Sequence, residues 1–189
     1  MIRIRSILAP VALAAALLTT ACSSTPFGAT GYLESYDDMA VHPEDPTGLR
    51  YVAPKNALLD YDQLLFDAFE IRALPNSDLA KEDPVVANQL AGQFRDRLIA
   101  VVDPYYSVVS SPGGGVLRLR CALSEMKFRG DGRTADDVVF VRFEAEMENS
   151  LTGERMAAVV RSFDAGNHSA FDALAVGLLD FMNQQHGIE

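Results

Sequence analysis

Few side chains in this sequence are equipped for chemistry. Three histidines, His42, His168 and His186, and two cysteines, Cys22 and Cys121, are the groups able to act as base, nucleophile or ligand near neutral pH. A nucleophilic triad needs a Ser or Cys activated by a His that an acid orients. The nearest arrangement is Asp164, His168, Ser169 and Asp172. Adjacent positions on a helix do not face each other, so His168 and Ser169 are poorly placed as a pair. Asn167, His168 and Ser169 read better as the cap of a following helix. No Gly-x-Ser-x-Gly elbow occurs. Metal binding would draw on His42, Glu44 and Asp45, or on Asp164, His168 and Asp172. Neither set has the ligand spacing of H-E-x-x-H. His42 to Pro46 reads as an acidic, proline-rich turn, and His186 as a solvated group near the C-terminus. These residues imply no catalytic group, metal or cofactor. The alternative is a hydrolase or small-ligand binder using His168, Asp164 and Asp172, or His42, and it predicts a pocket uniting such groups.

Two further stretches imitate functional motifs. Pro112-Gly113-Gly114-Gly115 resembles a phosphate cradle, but such a loop should open a helix, and this one leads into an alternating strand. Arg129-Gly130-Asp131 spells an adhesion tripeptide, but Asp131-Gly132 is an ordinary turn pair.

Cys22 has a different context. Arg3 and Arg5 precede an apolar run from Ile7 to Leu18, then Thr19, Thr20 and Ala21 lead into the cysteine. A run of about 12 residues is too short to span a bilayer and suits a signal peptide. The order resembles the lipobox of bacterial lipoproteins, in which cleavage precedes a cysteine that is then acylated. Thr19 stands where that motif usually has Leu. A plain secreted protein, with Cys22 free or in a disulfide, is the other reading. If Cys22 carries lipid, Cys121 is a lone thiol on an apolar strand face and reads as a buried small hydrophobe. Ser23 resembles the outer-membrane sorting class.

Residues 1–21 read as the signal, 22–30 as a lipidated tether, and 31–189 as one domain with an irregular lead-in to about residue 60. Loss of the signal removes two arginines and no acid, taking the formal net charge from −10 to −12. That excludes nucleic acid and polybasic membrane contact as expected partners. The membrane link would be the lipid itself.

The elements that must position these groups follow from periodicity. Gly31 to Pro54 reads as irregular, with a helical turn around Leu33 to Met39 and enough apolar groups to pack on the domain. Tyr61 to Leu74 reads as one central strand, with Leu65, Asp67, Phe69 and Ile71 on one face and Leu64 and Phe66 on the other. Asp83 to Val102 predicts a helix, with Asp83 as N-cap, Pro84 at the first turn and apolar residues recurring from Val86 to Val102. Tyr105–Ser110, Val116–Phe128, Val138–Glu148 and Arg155–Phe163 predict strands, and Ser169–Gln185 a second helix. The expected fold is α+β: a two-layer sandwich whose mostly antiparallel sheet of four to five strands carries two helices on one face.

Gly31-Tyr32-Leu33, Tyr36, Met39, Arg50-Tyr51-Val52, Pro54, Tyr61-Asp62, Leu65 and Asp67 occur in an order that resembles a family of Gram-negative lipoproteins, the domain-of-unknown-function family 3313. The resemblance supports lipidation at Cys22 and implies no activity, since the family has none to carry over.

The outward faces of the strands are the remaining candidate. Arg118 and Arg120 should lie across from Glu144 and Glu146, with Arg155 or Arg161 flanking Glu148. Arg142 belongs to the same face, and Val138 and Phe140 should add a small apolar patch. Such a face is either solvated and stitched by charges or a docking surface for a partner. The sequence thus predicts a lipid-anchored, non-enzymatic binding or assembly-accessory protein on the periplasmic face of the outer membrane, whose partner is another envelope protein.

Overall fold

A computed structural model describes residues 29–54, 58–165 and 169–186. Its centre is a meander of three long antiparallel strands, β6 (Val116–Phe128), β7 (Val138–Asn149) and β8 (Arg155–Asp164). The sheet extends on both sides. Beside β8 lie β2 (Asp45–Val52) and then β1 (Ala40–His42), both antiparallel. Beside β6 lie β3 (Gln63–Phe66), then β5 (Ser107–Val109), with β4 (Glu70–Ile71) further along β6, all parallel. Among the described residues the order is β1-β2-β8-β7-β6-β3-β5, with β4 on β6 off this path, a mixed sheet of eight strands. The expected four to five strands and mostly antiparallel pairing are corrected accordingly. Both edge strands are only three residues long, which limits unwanted strand addition.

The extra strands come from two places. The lead-in, expected to be irregular, supplies β1 and β2, and no helix forms around Leu33 to Met39. The expected first core strand is broken into β3 and β4. A period of two puts Phe66 and Phe69 on opposite faces, and the break at Asp67–Ala68 resets that phase. Leu64, Phe66 and Phe69 are thereby all buried in one core, with Ile71 packed against it.

α1 (Pro84–Val102) and α2 (Ala170–His186) cover one face of the sheet. The Asp83 carboxylate accepts the Val85 N–H at 2.8 Å, so the predicted cap holds. Ser169 Oγ accepts the Phe171 N–H at 3.2 Å and donates to the Ala135 carbonyl at 2.7 Å, fixing the start of α2. Leu90, Phe94 and Leu98 of α1 meet Phe171, Leu174 and Leu178 of α2 over Leu117, Leu119, Cys121 and Leu123. Phe94 stands 5.2 Å from Phe69 and 5.3 Å from Phe171, centroid to centroid, in tilted contacts. Burial holds the Cys121 thiol well above its ordinary pKa, so it behaves as a core hydrophobe.

Two irregularities in the β6–β7 pairing decide which side chains face the helices. One falls at Ser124, after which Met126 joins the helix-side core opposite Val141. The second lies between Lys127 and Phe128 and pairs Phe128 with Val138. Val138, expected on the outward face, is consequently fully buried among the core residues on the helix side. Among the described residues no helix is long and apolar enough to cross a membrane.

Candidate functional site

The sheet face away from the helices is neither bare nor solvated. Residues 29–39 run across it as a strap. Tyr32 and Leu33 pack on Leu49, Ala122, Ala158 and Val160, with Tyr36, Met39 and Tyr51 alongside. Under this cover, and under Thr47 of β2 beside it, lie charges that period-two alternation points outward. Glu144 is 0% exposed, Glu146 2%, Arg142 6% and Glu148 9%. Buried charge is tolerated only when it is paired and hydrogen-bonded, and each of these residues has specific partners. Glu144 accepts the Thr30 N–H at 2.6 Å and the Tyr36 hydroxyl proton. Glu146 takes Arg155 at 2.5 Å and Arg120 at 3.2 Å. Arg120 also reaches Glu148 at 2.8 Å and lies 5.5 Å from the Tyr32 ring centroid. Arg155 donates to the Ser35 carbonyl at 3.0 Å and to Asp38 at 3.1 Å, so the same arginine binds sheet and strap. Arg142 donates to the Thr47 carbonyl at 2.8 Å and to Ser162 Oγ at 2.9 Å.

Electrostatics carry the mark of this cover. Burial raises the Glu146 carboxyl pKa against the opposing pull of Arg155. Burial and the hydrogen bond to Glu144 raise that of Tyr36. Burial lowers that of Arg142. Of the expected cross-strand neighbours, Arg120 pairs with Glu146, and Arg155 stands opposite Glu148. Arg118 pairs instead with Asp67 at 2.7 Å, and Arg161 with Glu44 at 2.8 Å. Arg118 stays 43% exposed, and Phe140 is half-buried beneath Lys127, whose Nζ lies 4.6 Å from the ring centroid.

At the sheet edge, beyond the margin of α2, the helix layer stops short of β1 and β2. A recessed cleft of about 270 Å³ opens there. His42, Glu44 and Arg50 come from the β1–β2 hairpin, Arg161 and Phe163 from β8, and Val176, Gly177, Asp180 and Phe181 from α2. Gly177 is required where it stands, because a Cβ there would lie 2.5 Å from Phe163 Cζ. The Arg161 guanidinium stacks on Phe163 at 4.6 Å from the ring centroid. His42 is 4% exposed, and its Nδ1 accepts the Glu44 N–H at 3.2 Å, which places its own proton on Nε2. Burial, then the nearby Arg161, lowers its pKa and favours the neutral ring. Arg50 makes no ion pair or side-chain hydrogen bond with any described residue.

The residues proposed for chemistry are placed as follows. Cys22 and His168 lie outside the described residues. Asp172 is held by Arg97 at 2.6 Å, and Ser169 is committed to the cap of α2. Asp164 ends β8 opposite Phe140. His42 and Glu44 share the edge cleft, while Asp45 turns to accept from Thr47 and Ser162. No group of three or more His, Cys, Asp or Glu side chains among the described residues is placed to hold a metal ion. Sequence reasoning missed Arg50 and the strap contacts of Tyr36, because both stretches carry no periodic signal.

Comparisons with known proteins give the following. A PelC dodecamer subunit from Paraburkholderia phytofirmans is 11% identical, with 75% of this chain and 94% of that chain covered at a TM-score of 0.39. Lipoprotein GNA1162 from Neisseria meningitidis is 10% identical, with 65% and 95% covered at 0.37. Protein XCC0632 from Xanthomonas campestris is 12% identical, with 74% and 96% covered at 0.40. No curated protein matches. A family match spans residues 28–176, most of the chain, and on that ground the chain belongs to the family described as "Protein of unknown function (DUF3313)".

Proposed function

We propose that this protein is a lipid-anchored component of the cell envelope, held at the periplasmic face of the outer membrane through Cys22, and that its domain binds another envelope protein rather than catalysing a reaction. The observation that carries this reading is the attachment of the strap. Thr30 is hydrogen-bonded to the buried Glu144, eight residues after Cys22. A chain of that length spans at most about 25–30 Å, so a lipid on Cys22 would keep the strap face close to the membrane. The signal-like charge, apolar run and small residues before Cys22 supply the chemistry of the anchor. Two or more acyl chains would hold it stably. Of the described residues named for catalysis, Ser169 is spent on a helix cap and Asp172 on an ion pair, which favours binding over turnover.

The anchor is tested by comparing wild type with Cys22→Ala by membrane fractionation and radiolabelled fatty-acid incorporation. Loss of label and release from the membrane fraction are expected. Unchanged label and retention would overturn the anchor. The partner is tested by cross-linking cells that carry the tagged protein. A single envelope protein recovered with wild type and depleted with Cys22→Ala is expected, and recovery at background would refute the binding role.

A further inference from the structure

The edge cleft holds two guanidinium groups whose hydrogen-bonding capacity is not used up. In a chain with formal charge −10, Arg97, Arg118, Arg120 and Arg155 each pair with at least one carboxylate, and the buried Arg142 donates to the Thr47 carbonyl and Ser162 Oγ. Arg50 makes no ion pair or side-chain hydrogen bond with a described residue, yet it stands half-buried in a recess beside a second guanidinium. Arg161 is only partly committed. Its Nη2 bonds Glu44 at 2.8 Å and its face rests on Phe163, while no partner among the described residues takes Nη1. His42 lines the same recess and, with Nδ1 occupied as an acceptor, has an N–H left to donate. Apolar side chains share the lining: Phe163 beneath Arg161, and Val176 and Phe181 from α2.

We infer that this cleft is a binding site for a small monocarboxylate carried on an apolar body, with Arg50 and Arg161 holding the carboxylate and the α2 wall holding the body. Guanidinium groups present paired N–H donors that match a carboxylate. Arg50 and Arg161 are matched in number by Glu44 and Asp180, so a monoanion enters against less repulsion than a dianion. Glu44 and Asp180 line the same cleft, so a phosphate dianion would enter against two negative groups. Size selects a small ligand, since about 270 Å³ lies just under the usual range of small-molecule pockets. The inference does not depend on membrane anchoring, and the experiment below reads only the cleft.

The test is a titration of the purified full chain, followed by chemical-shift changes of backbone amides, with phenylacetate, acetate, phenethylamine and inorganic phosphate as separate probes. Phenylacetate should saturate with a dissociation constant of about 1 mM or tighter, with shifts centred on Arg50, Arg161 and Val176. Acetate should bind about tenfold more weakly for want of the apolar body. Phenethylamine and phosphate should not saturate. Arg50→Met should weaken phenylacetate about tenfold, and because Arg50 has no ion pair to lose, the thermal midpoint should barely move. Val176→Glu, at a half-exposed position, should abolish binding without unfolding. Failure of phenylacetate to saturate, equal binding by Arg50→Met, or tighter binding of phosphate or phenethylamine each overturns the assignment.

Discussion

The two faces of the sheet are buried by different means. On the helix side, α1 and α2 lay an apolar stripe on Leu117, Leu119, Cys121 and Leu123, and the contacts are non-directional. On the strap side, residues 29–39 together with Thr47 of β2 cover Arg142, Glu144, Glu146 and Glu148, and every one of those groups depends on particular donors and acceptors. Apolar burial provides most of the stability and tolerates modest errors in shape. Polar burial contributes little net stability but penalises any arrangement that leaves a charge unpaired. The strap face therefore fixes the path of the N-terminal segment more than it stabilises the domain, and that segment is the one that leads back to Cys22.

The sharpest way to separate the two faces is to damage each in turn. Phe94→Ala removes a fully buried ring at the junction of α1, α2 and Phe69. It should cost about 3–5 kcal/mol in a denaturant melt. Strap protection should fall only in proportion to global stability. Glu144→Gln keeps the shape but removes the charge that receives the Thr30 N–H and the Tyr36 hydroxyl. It should cost about 1–3 kcal/mol, and limited proteolysis within residues 29–39 should accelerate more than the global loss explains. If Glu144→Gln leaves the strap as protected as before, the contrast between the faces fails.

The difference also accounts for what could be read from the sequence. The helix side was legible because its residues recur at regular spacing: Asp83 and Pro84 open α1 and Leu90, Phe94 and Leu98 continue it, all as expected. The strap side was half-legible. Alternation in β7 correctly separated Val141, Phe143, Ala145 and Met147 from Arg142, Glu144 and Glu146. It said nothing of the cover, because a strap without helix or strand has no period. Phase resets were invisible for a similar reason. The break between β3 and β4 and the irregularity before Phe128 redirect Phe69 and Val138, and neither is marked by Gly or Pro at the site. The cleft required knowing that β1 and β2 extend past α2, a matter of sheet order rather than of any local residue pattern.

The smallest expected effect lies where the two coverings meet. His42 is on β1, the edge strand, and lines the cleft beside α2. The strap face keeps its carboxylates supplied with donors, whereas burial and the Arg161 charge keep His42 neutral, with a pKa below its ordinary 6.5. A base whose folded pKa is depressed binds its proton more readily when unfolded. Its contribution to stability is complete above pH 6.5 and is lost as pH falls below that value toward the folded pKa. His42→Gln can still offer an acceptor to the Glu44 N–H but does not titrate. The thermal midpoint of wild type should therefore drop more steeply than that of His42→Gln between about pH 7 and pH 5. His168 and His186 are present in both proteins, so the difference in slope isolates His42. Equal slopes would mean that His42 titrates alike in the folded and unfolded chains, and that the edge of the sheet is as open to water as a loop.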